Sequence, residues 1–294
     1  MKQSTKTSPS KPVEAPTNRG TSNEMEIAKA EKGLKVYSYS CVCDSCVCGE
    51  SGESCEQNTR IRDHASEISR ILAKCPDIAT LIVGPCQSKI TCHKTLLGFK
   101  SEYFDGLCFG GFPSSESGEI RMEEEQPEAI AAFVSWLYTG RISSTCTVAP
   151  AALWVLGDKL RSPGFTNEAM HFLFRIYYQG TFITAETAGF SYDNTTSGSK
   201  LRLFIKDVIL NEGPLSKETE LCSDDIESWR ALIRQGGDLL VDISFEGSFN
   251  NFICDDDQRM AWYYQNHHKY LEPITTRPIE DFLQGKPREG TRNI

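Results

Sequence analysis

Two short runs rich in β-branched residues, Ile78–Gly84 (IATLIVG) and Ser88–Cys92 (SKITC), flank a turn at Pro85-Cys86-Gln87, and the apolar period changes at His93. Strand side chains repeat every second residue and helical ones every third or fourth, so the two runs predict a hairpin. Beyond it Leu96, Phe99 and Tyr103 interleave with Leu97, Lys100 and Phe104, which predicts one helix from His93 to the Gly110-Gly111 break. A hairpin that feeds directly into a helix has an apolar face to bury and a cover for it close by. That is an α+β arrangement, a small sheet covered by helices.

The flanking text extends this unit in both directions. Upstream, Ile68, Ile71 and Leu72 predict a helix over Asp63–Lys74, ended by Pro76. Downstream, Gly118–Glu124 alternates as a third strand. Pro127 then opens a helix at a position where its missing N–H costs nothing, Ile130, Phe133, Val134 and Leu137 give that helix one apolar face, and Gly140 stops it. Leu153, Leu156 and Leu160 predict another helix. A further one runs from Asn167 with Ala169, Phe172, Leu173 and Ile176, after a loop at Arg161-Ser162-Pro163-Gly164. Residues 63–180 therefore form one domain.

Residues 1–62 read as a disordered arm with a cysteine-rich tract, because the first 35 carry almost no aromatic or β-branched residues to offset the entropy of ordering. Val36 to Cys48 has the alternation of a short hairpin turning at Asp44-Ser45. After a linker at Thr181–Gly198, residues 181–275 are mainly helical. One helix over Ser199–Asn211 carries Leu201, Phe204, Ile205, Val208 and Ile209, and a second after Asp224-Asp225 carries Ile226, Trp229 and Ile233 up to Gly236-Gly237. The DLLVDISFEG stretch is weakly patterned, and 276–294 reads as a loose polar tail.

Charge narrows the function class. Lys/Arg and Asp/Glu balance over residues 1–60, so the formal −9 of the 294-residue chain sits in the folded part. A nucleic-acid module needs a basic face to neutralise phosphates, so nucleic acid is not an expected partner. No run reaches the roughly 18 apolar residues of a membrane span and no signal-peptide core precedes the fold, so the expected location is cytoplasm or nucleus.

The text ITCHKTLLGFKSEYF, then EEQPEAIAAFVSWLYTG and LWVLGDKL, resembles the BTB/POZ domain, especially its fungal versions. The resemblance is carried by His93-Lys94, Leu97, Ser101, Tyr103-Phe104, Pro127-Glu128 and Tyr138-Thr139-Gly140, and SYDNTTSGSKLRLFIKDVIL resembles the segment that follows the domain in fungal members. It implies a non-catalytic interaction module that self-associates and recruits partners, either to transcriptional complexes or to a cullin-type ubiquitin ligase as a substrate adaptor. The dimer contact it implies involves Ile68, Ile71, Leu72 and Asp77. The partner surface it implies involves Tyr103, Phe104, Phe109, Phe112, Ser114 and Glu116. Cullin adaptors of this family tend to carry a hydrophobic-x-Glu signature before the third strand. Here Phe112-Pro113-Ser114 occupies that place, with serine where glutamate is expected and Glu116 two residues on.

A different reading attaches to Cys41, Cys43, Cys46, Cys48 and Cys55. Thiolates suit Zn²⁺ and similar ions, so the tract is a candidate metal-binding or redox-sensing element, with Cys41, Cys43, Cys46 and Cys48 as ligands. The C-x-C-x₂-C-x-C spacing is not that of structural zinc modules. His267-His268 would be a weak metal pair, since adjacent helical residues point about 100° apart. Phosphate-cradle, dinucleotide, hydrolase-elbow and zincin motifs are missing from the sequence, so no catalytic residue is nominated and no cofactor is expected.

Overall fold

Pro76 ends the first helix and the chain turns at once into a strand. The computed structural model describes residues 56–110, 118–178, 182–212, 223–246, 261, 264–274 and 277–286. The expectations for residues 1–55, for 111–117 and for the chain end beyond 286 fall outside these.

Helix α1 spans Glu56–Lys74. It begins before the expected Asp63, so residues 56–62 belong to the fold and not to an arm. The added turns carry Arg60, whose guanidinium bonds the buried carboxylate of Glu168 at 2.7 Å. Strands β1 (Ile78–Val83) and β2 (Ser88–His93) pair antiparallel, Ile78 opposite His93 and Val83 opposite Ser88, through a turn with Gly84 and Gln87 at positive φ. Strand β3 (Glu119–Met122) adds parallel to β1, giving the order β2-β1-β3. The central strand buries Ala79, Leu81, Ile82 and Val83, hence its unbroken apolar text.

The helix expected from His93 to Gly110 is two. Helices α2 (Lys94–Lys100) and α3 (Glu102–Phe109) meet at Ser101, which is extended at φ −144° and ψ 122°. Its hydroxyl accepts from the Phe104 N–H at 3.2 Å and donates to the Leu160 carbonyl at 2.6 Å. A serine that caps a new helix competes successfully with continuing the old one. Helix α4 (Pro127–Thr139) starts and stops as expected, with Gly140 left-handed at φ 71°. Helices α5 (Pro150–Lys159) and α6 (Pro163–Tyr178) follow. The latter begins earlier than Asn167, because Pro163 serves as its first-turn residue.

The expected linker at 181–198 contains helix α7 (Ala185–Asp193), capped by the Thr184 hydroxyl, which accepts from the Thr187 N–H at 3.1 Å. Helices α8 (Lys200–Glu212), α9 (Ser223–Gln235) and α10 (Asp238–Glu246) follow, the last in text that looked unpatterned. Arg202 explains the Thr/Ser loop before the Leu-Arg helix. Its buried guanidinium donates to the main-chain carbonyls of Tyr192 and Thr195, which close α7, and pairs with Asp238 at 2.7 Å. One side chain thus joins three helices.

A 3₁₀ helix (Tyr264–Tyr270) precedes residues 271–274 and 277–286, which pack on the fold where a loose tail was expected from 276. Glu272 N–H donates to the Asn167 side-chain oxygen at 2.7 Å, and Asn167 donates back to the Glu272 carbonyl at 2.9 Å. Short helix α11 (Ile279–Leu283) buries Ile279 and Phe282 against α1 and α2. Two apolar residues within a polar tail are enough to dock it, a signal too sparse for periodicity to register. Among the described residues no helix is long and apolar enough to cross a membrane.

Candidate partner-binding surface

The two halves of the motif meet across the sheet edge. The His93 N–H, at the start of α2, donates to the Tyr138 hydroxyl at 3.1 Å, and His93 Nδ1 pairs with the same hydroxyl at 2.8 Å. His93 therefore ties the start of α2 to the end of α4. At the end of α4, Arg141 N–H donates to the Thr139 hydroxyl, which donates to the Ser135 carbonyl at 2.9 Å. Gly140 is required twice over. Its φ suits a residue without Cβ, and a Cβ there would stand 3.0 Å from the His64 ring.

His64 is buried under that turn, and its Nε2–H donates to the Leu137 carbonyl at 3.0 Å. Burial, helped by the Lys100 charge, lowers its pKa to about 4. Unfolded histidine takes a proton near 6.5 while the folded one resists until about 4, so the unfolded state binds more protons in that window and stability falls as pH drops through it. Unfolding by urea should show a loss of about 2 kcal/mol between pH 7 and pH 4.5 that His64→Gln abolishes. An equal pH slope in both proteins would refute this assignment.

The side chains expected to meet a partner separate into distinct classes. Tyr103 is 39% exposed on α3, its ring edge-on to Phe104 at 5.2 Å. Phe104 itself has no accessible surface and stacks on Phe133, so it supports the surface from beneath and presents nothing to a partner. Phe109 is half-buried, with the Lys94 ammonium 5.5 Å from its ring and the Phe282 ring edge-on at 5.8 Å. Phe112, Ser114 and Glu116 lie outside the described residues.

The same separation holds for the expected dimer contact. Ile68 and Ile71 are buried within their own chain, so as they stand they pack the fold and leave no surface for a second copy. Leu72, at 40% exposure, and Ile78, at 49%, remain open on either side of exposed Asp77. Sequence reasoning missed Arg277, Glu280 and Phe282, which fall in the supposed tail. The Arg277 guanidinium lies 3.8 Å from the Phe282 ring and 3.3 Å from the buried Asp105 carboxylate, and Arg70 on α1 bonds Glu280 at 2.8 Å. Beside this segment runs a cleft of about 640 Å³ lined by Lys100, Asp105, Arg161, Thr166, Glu272 and Arg277. Its charges are largely cancelled in pairs, Arg277 with Asp105 and Arg161 with Glu102 at 3.7 Å, which suits a seam between elements of one chain.

The mixed β2-β1-β3 sheet, the α2–α3 hairpin broken at Ser101 and the His93–Tyr138 link coincide with a known domain: the family model for the BTB/POZ domain matches residues 74–177. Residues 74–177 are a BTB/POZ domain. Kelch-like protein 30 of Mus musculus is 33% identical over 76 residues, covering 26% of this chain, and Kelch-like protein 30 of Homo sapiens is 33% identical over 66 residues, covering 22%. The similarity spans only 13% and 11% of the length of those two relatives. BTB/POZ domains are protein–protein interaction modules and not catalysts.

Two of the thiols of the BTB/POZ domain, Cys92 and Cys108, are buried, while Cys86 is exposed. Burial pushes the Cys92 thiol up to about 12 and the Cys108 thiol to about 11, so neither offers a thiolate near neutral pH. The cysteines 41, 43, 46, 48 and 55 lie outside the described residues. His267 stacks face to face on Phe174 with centroids 3.8 Å apart, while His268 is exposed, so the adjacent pair does not converge. Among the described residues no cluster of three His, Cys, Asp or Glu side chains could hold a metal ion.

Proposed function

We propose that this chain is a non-catalytic interaction protein whose BTB/POZ domain self-associates and recruits a protein partner. The observation that carries the reading is the exposure of two apolar side chains on either side of Asp77 at the junction of α1 and β1, Leu72 at 40% and Ile78 at 49%. They flank Asp77, at the place where the resemblance implies the dimer contact. The recruited partner meets Tyr103 on α3 and Phe112. Its two candidate classes are a transcriptional complex and a cullin, and Ser114 in place of glutamate favours the first.

Light scattering tests the self-associating half: the unmodified chain is expected to approach twice the monomer mass of 32.9 kDa at high concentration, and Leu72→Asp to hold it near the monomer value with an unchanged far-ultraviolet spectrum. A monomer at all concentrations would remove the reading. Cullin pull-down with the unmodified chain and with Phe112→Asp tests the recruiting half, and retention of a cullin by both excludes this surface.

A further inference from the structure

Helix α10 has two apolar faces, and the fold uses one of them. Leu239 and Ile243, a turn apart, are buried where the helix rests on α7 and α8. At about 100° per residue, Val241 and Phe245 form a second i, i+4 stripe roughly 160° away from the first. That stripe is open. Phe245 is 87% exposed, more than any other large apolar side chain among the described residues, and Val241 is 52% exposed, with exposed Leu240 beside them. A helix apolar on both sides ordinarily packs on both sides. Carboxylates border the open stripe: Asp238 stands three residues before Val241 and Asp242 three before Phe245, a spacing that makes helical neighbours. Asp238 keeps 69% of its side chain exposed although it pairs with Arg202, and Asp242 accepts from the Tyr192 hydroxyl at 3.0 Å. The helix carries no Lys or Arg to offset them.

We propose that the Val241–Phe245 face of α10 is a docking site for a basic amphipathic helix of another protein, outside the BTB/POZ domain and independent of its self-association. The apolar stripe receives the apolar side of the incoming helix, and Asp238 and Asp242 select Lys or Arg along its border. Charge decides between the occupants. The phosphates of a nucleic acid or of an anionic lipid surface would meet carboxylates here and be repelled. A second copy laid on the same face would bring the same carboxylates and no cation from this helix. The chain's own continuation, residues 247–258, carries Asp255, Asp256 and Asp257 and no Lys or Arg. A basic helix gains on both the apolar and the charged part of the face.

The test uses the full chain and a fluorescein-labelled synthetic helix of about fourteen residues, leucine on one face and lysine on the other, followed by fluorescence anisotropy. The chain is compared unmodified, as Phe245→Asp and as Val241→Asp, with circular dichroism as the folding check. Each substitution makes the chain one charge more acidic, so attraction to net charge alone would tighten binding, whereas loss of the apolar stripe weakens it. The unmodified chain is expected to bind the peptide, and each variant about tenfold more weakly. The same peptide with glutamate for lysine should bind none of the three, and equal binding of both peptides would overturn the role of the carboxylates. Equal or tighter binding of the lysine peptide by the variants overturns the site and leaves only adhesion to an acidic protein. No binding by the unmodified chain overturns it as well. A chain carrying Leu72→Asp that still self-associates, and ceases to when Phe245→Asp is added, assigns the face to a second copy and overturns the basic partner.

Discussion

Replacing Glu168 by alanine is expected to lower stability by about 3–5 kcal/mol, seen as a urea midpoint shift without a change in slope. Glu168 sits in α6 with 1% of its side chain exposed. It holds Arg60 of α1 at 2.7 Å and accepts from the buried Ile142 N–H at 3.4 Å, with Arg175 4.0 Å away. Burial pushes the carboxyl up while Arg60 and Arg175 draw it down. Its removal leaves the buried Ile142 N–H without this acceptor and the largely buried Arg175 without this counter-charge, and such orphaned groups cost more than the pair contributed. Glu168→Gln keeps the shape and part of the hydrogen bonding, so it should fall between the two. A loss below about 1 kcal/mol for alanine would mean that water replaces the carboxylate freely.

Gly157→Ala should also destabilise strongly, by about 3 kcal/mol, although the same change in an ordinary helix stabilises by up to about 1 kcal/mol. The sign reverses because α5 and α6 touch at this residue. A Cβ would stand 2.5 Å from the Thr166 hydroxyl, 2.9 Å from its backbone nitrogen and 3.0 Å from its Cα. Backbone atoms cannot rotate away, so the helices must part and the core loses contact along their length. Gly164→Ala, in the same helix pair, meets only the rim of Trp136 at 3.3 Å and serves as the control, with an effect near zero. Thermal unfolding of both proteins decides it. A stabilised Gly157→Ala would show that the two helices pack further apart than this.

The elements that the text made legible are those whose signals lie next to each other. The hairpin at Ile78–His93 and the helix from Pro127 to Gly140 carried their own punctuation, and both stand where that punctuation put them. The break at Ser101 escaped because Leu96, Phe99 and Tyr103 keep a helical spacing across it, while the hydroxyl that ends the helix finds its acceptor far away at Leu160. Helix α7 escaped for a related reason: its cap, Thr184, was read as one more polar residue of a linker. At the candidate surface, the family motif named Tyr103 and Phe104 together, and only burial separates the exposed ring from the one in the core.

Local chemistry by itself determined the α+β class, the helix and strand types through residues 63–180, and the motif residues that carry the family resemblance, because apolar period, proline and glycine act over a few residues at a time. Only the tertiary structure decided that Ile68 and Ile71 face inward, that Glu168 ties α1 to α6, and that the polar end of the chain returns to cover Phe99 and Phe109. Those are contacts between residues far apart in the chain, and their partners leave no mark on the spacing of their neighbours.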